Sequence, residues 1–179
     1  FIFLIEILTK TMNKGRFLFT GLFALIMPAA ISLTIKNSGN KQVDAASEVI
    51  KRVLPEYADH FILRLIKKEG EKDVFEIEAK NGKIYISGSS GVAICSGFNH
   101  YLKNYCNAIY NWRCGNNLNI KGELPLGFSK IRKTSPYLYR YIFNYCTFSY
   151  SMPFWDWKQW ETMIDWMAMN GINMPLAPM

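Results

Sequence analysis

Trp155-Asp156-Trp157-Lys158-Gln159-Trp160-Glu161-Thr162-Met163-Ile164-Asp165-Trp166-Met167-Ala168-Met169-Asn170-Gly171-Ile172-Asn173-Met174-Pro175-Leu176 is the stretch that decides the fold. Asp156 is a good N-cap, since a carboxylate accepts from the free N–H groups of a first helical turn. Gln159 stands at N3, where it completes a capping box. Trp157, Trp160, Ile164, Met167 and Ala168 recur at helical spacing and predict the buried stripe. Asn170-Gly171 ends the helix, with glycine as the left-handed residue. Ile172 to Leu176 then predicts a strand. Upstream, Tyr137-Leu138-Tyr139-Arg140-Tyr141-Ile142-Phe143 is an aromatic run that predicts another. Strand, loop, helix, glycine, strand is one βαβ unit, the way a parallel barrel begins.

Before this unit, Lys130 to Pro136 reads as a solvated, basic linker. Residues 43–128 have a different character. Val43, Ala46, Val49, Ile50 and Val53 predict a helix that Pro55 stops. His60 to Lys67 and Asp73 to Lys80 predict strands, and Asn81-Gly82 is a strong hairpin signal because a type I′ turn needs φ > 0 twice. Lys83 to Ser87 returns as the partner, with Ile84 and Ile86 on one face. Gly88-Ser89-Ser90-Gly91 fits neither a dinucleotide nor a phosphate-loop pattern and reads as a turn with a serine N-cap. Val92, Cys95, Phe98 and Leu102 mark the next helix. Residues 111–128, rich in Gly and Asn, read as irregular with short strands. The expected fold class is therefore α/β: a small α+β amino-terminal domain over 43–128, its sheet covered on one side, then the first βα unit of a truncated (β/α)8 barrel over 137–179. The chain has 179 residues, and a complete barrel needs about 250.

The net charge is +7, but the basic residues are scattered, so a nucleic-acid partner is not expected. Met12-Asn13-Lys14-Gly15-Arg16, the apolar run Phe17 to Met27 and the small residues of Ala30-Ile31-Ser32 read as a signal peptide over residues 1–32, with residues 1–11 as upstream leader. The run is too short for a membrane span, which needs about 20 residues. Export to the periplasm, the cell surface or the medium follows as an expectation. Of Cys95, Cys106, Cys114 and Cys146, Cys106 and Cys114 are the closest pair and could close a small loop. Cys95 reads as a buried thiol. No CxxC occurs, so a metal site is not expected. The start at Phe1 and the apolar end at Met179 suggest a fragment.

Functional residues of barrels lie at the carboxyl ends of strands, here Asn144 to Pro153. Asn144-Tyr145-Cys146-Thr147-Phe148-Ser149-Tyr150-Ser151 offers an amide, a thiol, hydroxyls and aromatic faces, the groups that hold a sugar. The stretch holds no carboxylate pair. Asp156 is taken as a cap, and Glu161 and Asp165 read as neighbours on a polar helix face.

Arg140-Tyr141-Ile142-Phe143-Asn144-Tyr145-Cys146-Thr147-Phe148-Ser149-Tyr150-Ser151, the Trp155 to Glu161 segment and Ile164-Asp165-Trp166-Met167-Ala168-Met169-Asn170-Gly171-Ile172-Asn173 together resemble the opening of the catalytic barrel of alpha-N-acetylglucosaminidases, glycoside hydrolase family 89. Gly88 to Leu102 resembles that family's small amino-terminal domain. The resemblance covers roughly residues 43–179. It implies a retaining exo-glycosidase acting on glycans with terminal α-linked N-acetylglucosamine, without a cofactor. Its two catalytic glutamates would lie on later strands, outside this chain, so the fragment alone is expected to be inactive. By the same resemblance, Asn144, Cys146 and Tyr150 line the sugar pocket. Met174-Pro175-Leu176-Ala177-Pro178 departs from the family's usual strand end. The alternative reading is a non-catalytic carbohydrate-binding or adhesion module that uses the aromatic surface of Trp155, Trp157 and Trp160.

Overall fold

Val43, Ala46, Val49, Ile50 and Val53 are buried, and this stripe makes Lys41–Val53 helix α1. Its first turn is capped by the Asn40 side chain, which accepts from the Gln42 N–H at 3.0 Å. Pro55 opens a 3-10 turn, Pro55–His60, that leads into strand β1, Phe61–Leu65. The computed structural model describes residues 40–143, 150 and 152–176. The expected signal segment lies outside them. Residues Lys36–Met179 form one compact unit.

Strands β2, Val74–Lys80, and β3, Lys83–Gly88, are joined as predicted by Asn81 and Gly82, with φ of 52° and 72°. Helix α2, Gly91–Tyr105, follows; the Ser90 hydroxyl accepts from the Ala93 N–H at 3.1 Å. Strand β4 is Ile131–Thr134, and the sheet order is β1-β3-β2-β4. β1 and β3 are parallel; the other pairs are antiparallel. Phe61, Ile77, Ile84 and Ile86 point from the sheet into one core with Ile94, Phe98, Tyr101 and Leu102 of α2. The opposite face carries charge: Arg132 bonds Glu76 and Glu69, and Lys130 pairs with Glu76 at 2.8 Å.

The run expected to be a linker is thus the sheet's edge strand. Its basic side chains meet acids on and beside β2, so the charge that signals solvent also pays for the pairing. Residues 111–128 hold no strand; an isolated bridge links Ile109 to Asn117.

Strand β5 is only Tyr141–Ile142, helix α3 is Trp157–Met169 and strand β6 is Met174–Pro175. β5 and β6 are parallel, with Tyr141 opposite Met174, so the βαβ unit is present. The strand is shorter than the aromatic run predicts because the carbonyls of Tyr137 and Leu138 turn toward the Arg140 guanidinium instead of a ladder. The capping box forms: Gln159 N–H donates to Asp156 at 2.9 Å, and Asp156 N–H donates to Gln159 Oε1 at 3.0 Å. The predicted stripe of α3 holds in part: Met167 is buried, and Trp160 and Ala168 are half-buried against the cores. Met163, Asp165, Met167 and Met169 are buried, whereas Trp157 is 70% and Ile164 44% exposed. The helix is covered on two sides: Met163 and Met167 pack with Met152 on one, while on the other Asp165 meets Arg52 of α1 and Met169 enters the core of the small domain.

Close approach of α2 to the sheet depends on Gly88, where an added Cβ would sit 2.5 Å from the Ile94 backbone nitrogen. Gly88→Ala is expected to lower unfolding free energy by about 1–3 kcal/mol. A urea denaturation midpoint equal to that of the parent chain would contradict this packing.

Candidate functional site

Parallel pairing puts the carboxyl ends of β5 and β6 on one edge. The chain leaves β5 through Phe143, whose φ of 76° is rare for an aromatic residue. Such a backbone, held against its preference, is typical of functional sites. Asn144 and Cys146 lie outside the described residues. Tyr150 is described and is 86% exposed. Met152 anchors the return of the segment, buried with Met163 and Met167 in a cluster that Trp112, Trp155, Trp160 and Trp166 border.

The amino end of β5 is held by Arg140. Its guanidinium donates to Asp73, to the Gly171 carbonyl, to Tyr137 O at 3.0 Å and to Ser135 Oγ at 3.3 Å. Arg140 N–H donates to Asn173 Oδ1 at 2.8 Å, and Asn173 Nδ2 donates back to Leu138 O at 2.9 Å. One side chain therefore joins the small domain, both barrel strands and the end of α3. On the far side, Asp73 accepts from Ser89 at 2.8 Å and Ser90 at 3.2 Å. Burial alone would push the Asp73 carboxyl up. The Ser89 hydroxyl, the Arg140 guanidinium and the Ser90 hydroxyl outweigh it and hold the group below the usual carboxylate range.

Asp165 corrects the sequence reading most sharply. It is not on a polar face: it is 2% exposed. Arg52 of α1 grips both oxygens, Nε to Oδ2 at 2.8 Å and Nη2 to Oδ1 at 2.7 Å. The same contact raises the Arg52 pKa against the opposing effect of burial. Nearby, the buried Asn99 amide donates to Met169 O at 2.9 Å and satisfies a carbonyl at the end of α3. Neither pair is visible as a motif, because the partners are 113 and 70 residues apart. The available signal is an acid set among Ile164, Trp166 and Met167.

The aromatic surface expected of a binding module is not there in full. Trp155 and Trp160 pack on each other at 5.3 Å, and Trp155 packs on Trp112 at 5.6 Å; only Trp157 is widely exposed. Cys95, Cys106 and Cys114 are free thiols, so the small Cys106–Cys114 loop is not closed by a disulfide. Burial pushes the Cys95 thiol up to about 12, with the Asp165 charge adding to it. Among the described residues, no three His, Cys, Asp or Glu side chains come together to hold a metal, and no helix is long and apolar enough to cross a membrane.

Two family models match this chain: the alpha-N-acetylglucosaminidase N-terminal domain over residues 44–126 and the alpha-N-acetylglucosaminidase tim-barrel domain over 140–179. The chain belongs to the alpha-N-acetylglucosaminidase family. The boundary between the two matches contains β4, which completes the small domain's sheet. Human alpha-N-acetylglucosaminidase is 42% identical over 95 residues, 53% of this chain and 13% of the human protein. A family 89 glycoside hydrolase from Clostridium perfringens, solved with PUGNAc, is 41% identical with a TM-score of 0.73, over 76% of this chain and 16% of that one. The same bacterial enzyme, carrying two glutamate-to-glutamine substitutions, was solved with its substrate GlcNAc-alpha-1,4-galactose at the same identity, coverage and TM-score. The chain thus corresponds to a small part of these glycosidases: the amino-terminal domain and the start of the barrel.

Two measurements test the frame. Arg52→Ala leaves a buried carboxylate uncompensated and is expected to cost about 3 kcal/mol of stability. Arg52→Lys should restore only part of it, since an ammonium cannot grip both oxygens; full recovery in urea melts would contradict the bidentate role. Asp73 has a depressed folded pKa, so its contribution is present above the unfolded value of about 3.9 and is lost as pH falls through the folded value. Asp73→Asn should reduce stability at neutral pH and flatten the loss below about pH 4. An unchanged acid limb would sink this assignment.

Proposed function

We propose that the protein to which this chain belongs is a retaining exo-glycosidase that removes terminal α-linked N-acetylglucosamine from glycans. The observation that carries this reading is the βαβ unit of β5, α3 and β6, which lies within the match to the family's barrel domain, with Asn144 two residues past β5 in the sequence. Asn144 then donates to and accepts from sugar hydroxyls, Tyr150 offers an exposed ring and a hydroxyl, and Cys146 forms a small wall.

The reaction needs two carboxylates about 5–5.5 Å apart: a nucleophile that forms a glycosyl-enzyme intermediate, and an acid/base. The three acids after residue 136 are already engaged. Asp156 caps α3, Asp165 is held by Arg52, and Glu161 pairs with Lys158 at 2.9 Å. As the family resemblance implies, both reacting carboxylates belong to the part of the barrel that this chain does not cover. What this chain contributes is the first wall of the sugar pocket and its support. The basic and apolar segment of residues 12–32 directs export.

Residues 33–179 are expected to release no N-acetylglucosamine from an aryl α-glycoside, while the product of the complete reading frame releases it with the α configuration retained. Release by residues 33–179 would refute the assignment of the catalytic carboxylates. Failure of the complete product to hydrolyse the glycoside would refute the activity.

A further inference from the structure

Helix α3 has three sides, and among the described residues only two are covered. Met163 and Met167 face the strands, packed with Met152 and bordered by Ile142 and Ile172. Asp165 and Met169 face the small domain. Side chains step by roughly 100° per residue round a helix, so the third side carries Trp157, Ile164 and Ala168. Trp157 and Ile164 are exposed. All three belong to the apolar stripe that the sequence marks for burial.

That side opens into a groove of about 560 Å³ between α1, the start of α2 and α3. Its buried lining includes Ala46, Val49 and Cys95, while Ala45 and Ile164 are exposed in it. Bonds at both ends of α1 fix its shape. Near the amino end the Gly91 N–H donates to Gln42 Oε1 at 3.0 Å, and near the carboxyl end Arg52 grips Asp165. Alanine, valine and cysteine are small, so a side-chain ridge of another helix can lie close in such a groove.

Chain direction says which helix arrives there. Viewed from the carboxyl ends of β5 and β6, α3 runs away from the viewer and its successive side chains turn clockwise. The Ile164 side therefore lies clockwise of the side that faces the strands. A βαβ connection is right-handed in about 98% of cases, which puts β6, and the unit that follows it, on that same clockwise side. The small domain holds the other flank. The matched region is 16% of the Clostridium perfringens enzyme, so most of such a protein is still to be accommodated. We propose that the groove between α1 and α3 seats the helix of the βα unit that follows β6 in the complete protein. One barrel helix then packs on Ile164 of α3 and on Ala45 and Val49 of the small domain at once. The proposal rests on the barrel continuing past β6 and is independent of the activity.

The test sets the product of the complete reading frame beside the 179-residue chain. Ala45→Cys puts a thiol in the groove on α1, and Ile164→Cys puts one on α3. Each should react readily with a maleimide in the 179-residue chain. In the complete product each should react at least about tenfold more slowly, as a site that opens only by local unfolding does. Peptide mass mapping separates these thiols from the native cysteines. Benzoylphenylalanine in place of Glu48, an exposed residue of the lining, should cross-link to the first helix after β6. Equal labelling of Ala45→Cys in the two proteins would overturn the proposal, even with Ile164→Cys protected. A cross-link to a later segment would overturn it too. So would protection of the 179-residue chain that grows with its concentration, which assigns the groove to a second copy. N-acetylglucosamine release by the complete product is read separately: release with an unprotected Ala45→Cys thiol removes the groove and leaves the glycosidase reading intact.

Discussion

A carboxylate that is almost wholly out of water must be paired, and Asp165 is paired across a domain boundary. Its two oxygens take the Nε and Nη2 hydrogens of Arg52, so the first barrel helix can bury its inner face only where α1 of the small domain stands. Breaking the pair would leave a charge with no solvent to receive it. The arrangement also carries geometric information, since a planar guanidinium grips a carboxylate in few orientations. The azimuth of α3 is set by that grip. This is why Asp165 and Met169 are buried on the side of α1, in addition to Met163 and Met167 on the other side of the helix.

The second constraint acts on the strands. Arg140 begins β5, and its side chain bonds to Asp73 on the small domain and to the carbonyl of Gly171 just before β6. The two serines that orient Asp73 belong to the turn that starts α2. A chain of charge-assisted bonds thus runs from the cap of one domain's helix to the register of the other domain's first two strands. Side-chain networks of this kind define one geometry when every member is satisfied. Among the described residues, no buried side-chain polar atom lacks a partner.

Local chemistry was legible and distant chemistry was not. The Asn81-Gly82 turn, the Ser90 cap, the Asp156–Gln159 capping box and the Gly171 terminus each depend on a few adjacent residues, and each is where the sequence puts it. The sheet's edge strand was hidden because Lys130, Arg132 and Lys133 look like solvent-facing charge; the partners that make a strand of them, Glu69 and Glu76, lie more than fifty residues upstream. Asp165 was hidden for the same reason, as its spacing from Glu161 imitates an exposed helix face. Cys95 and its burial were legible because a thiol in an apolar helical pattern needs no distant partner. Of the candidate site, the position at the end of β5 follows from the βαβ order, while the support from Arg140, Asp73 and Asn99 follows only from the fold.

These contacts explain why the small domain precedes the barrel. A lone βα unit has open strand edges and one helix, too little to bury an apolar face. Here Met169 enters the core of the small domain outright, with Trp166 and Ala168 packed against it. Two polar links, Arg52 to Asp165 and Asn99 to the Met169 carbonyl, prevent the helix from sliding or turning on that core. The first βα unit is therefore built on an existing surface before any neighbouring barrel unit is needed. The strand that precedes Asn144 in the sequence is thus tied at its start to a finished domain. The rigidity of β5 and β6 therefore comes from outside the βαβ unit as well as from within it.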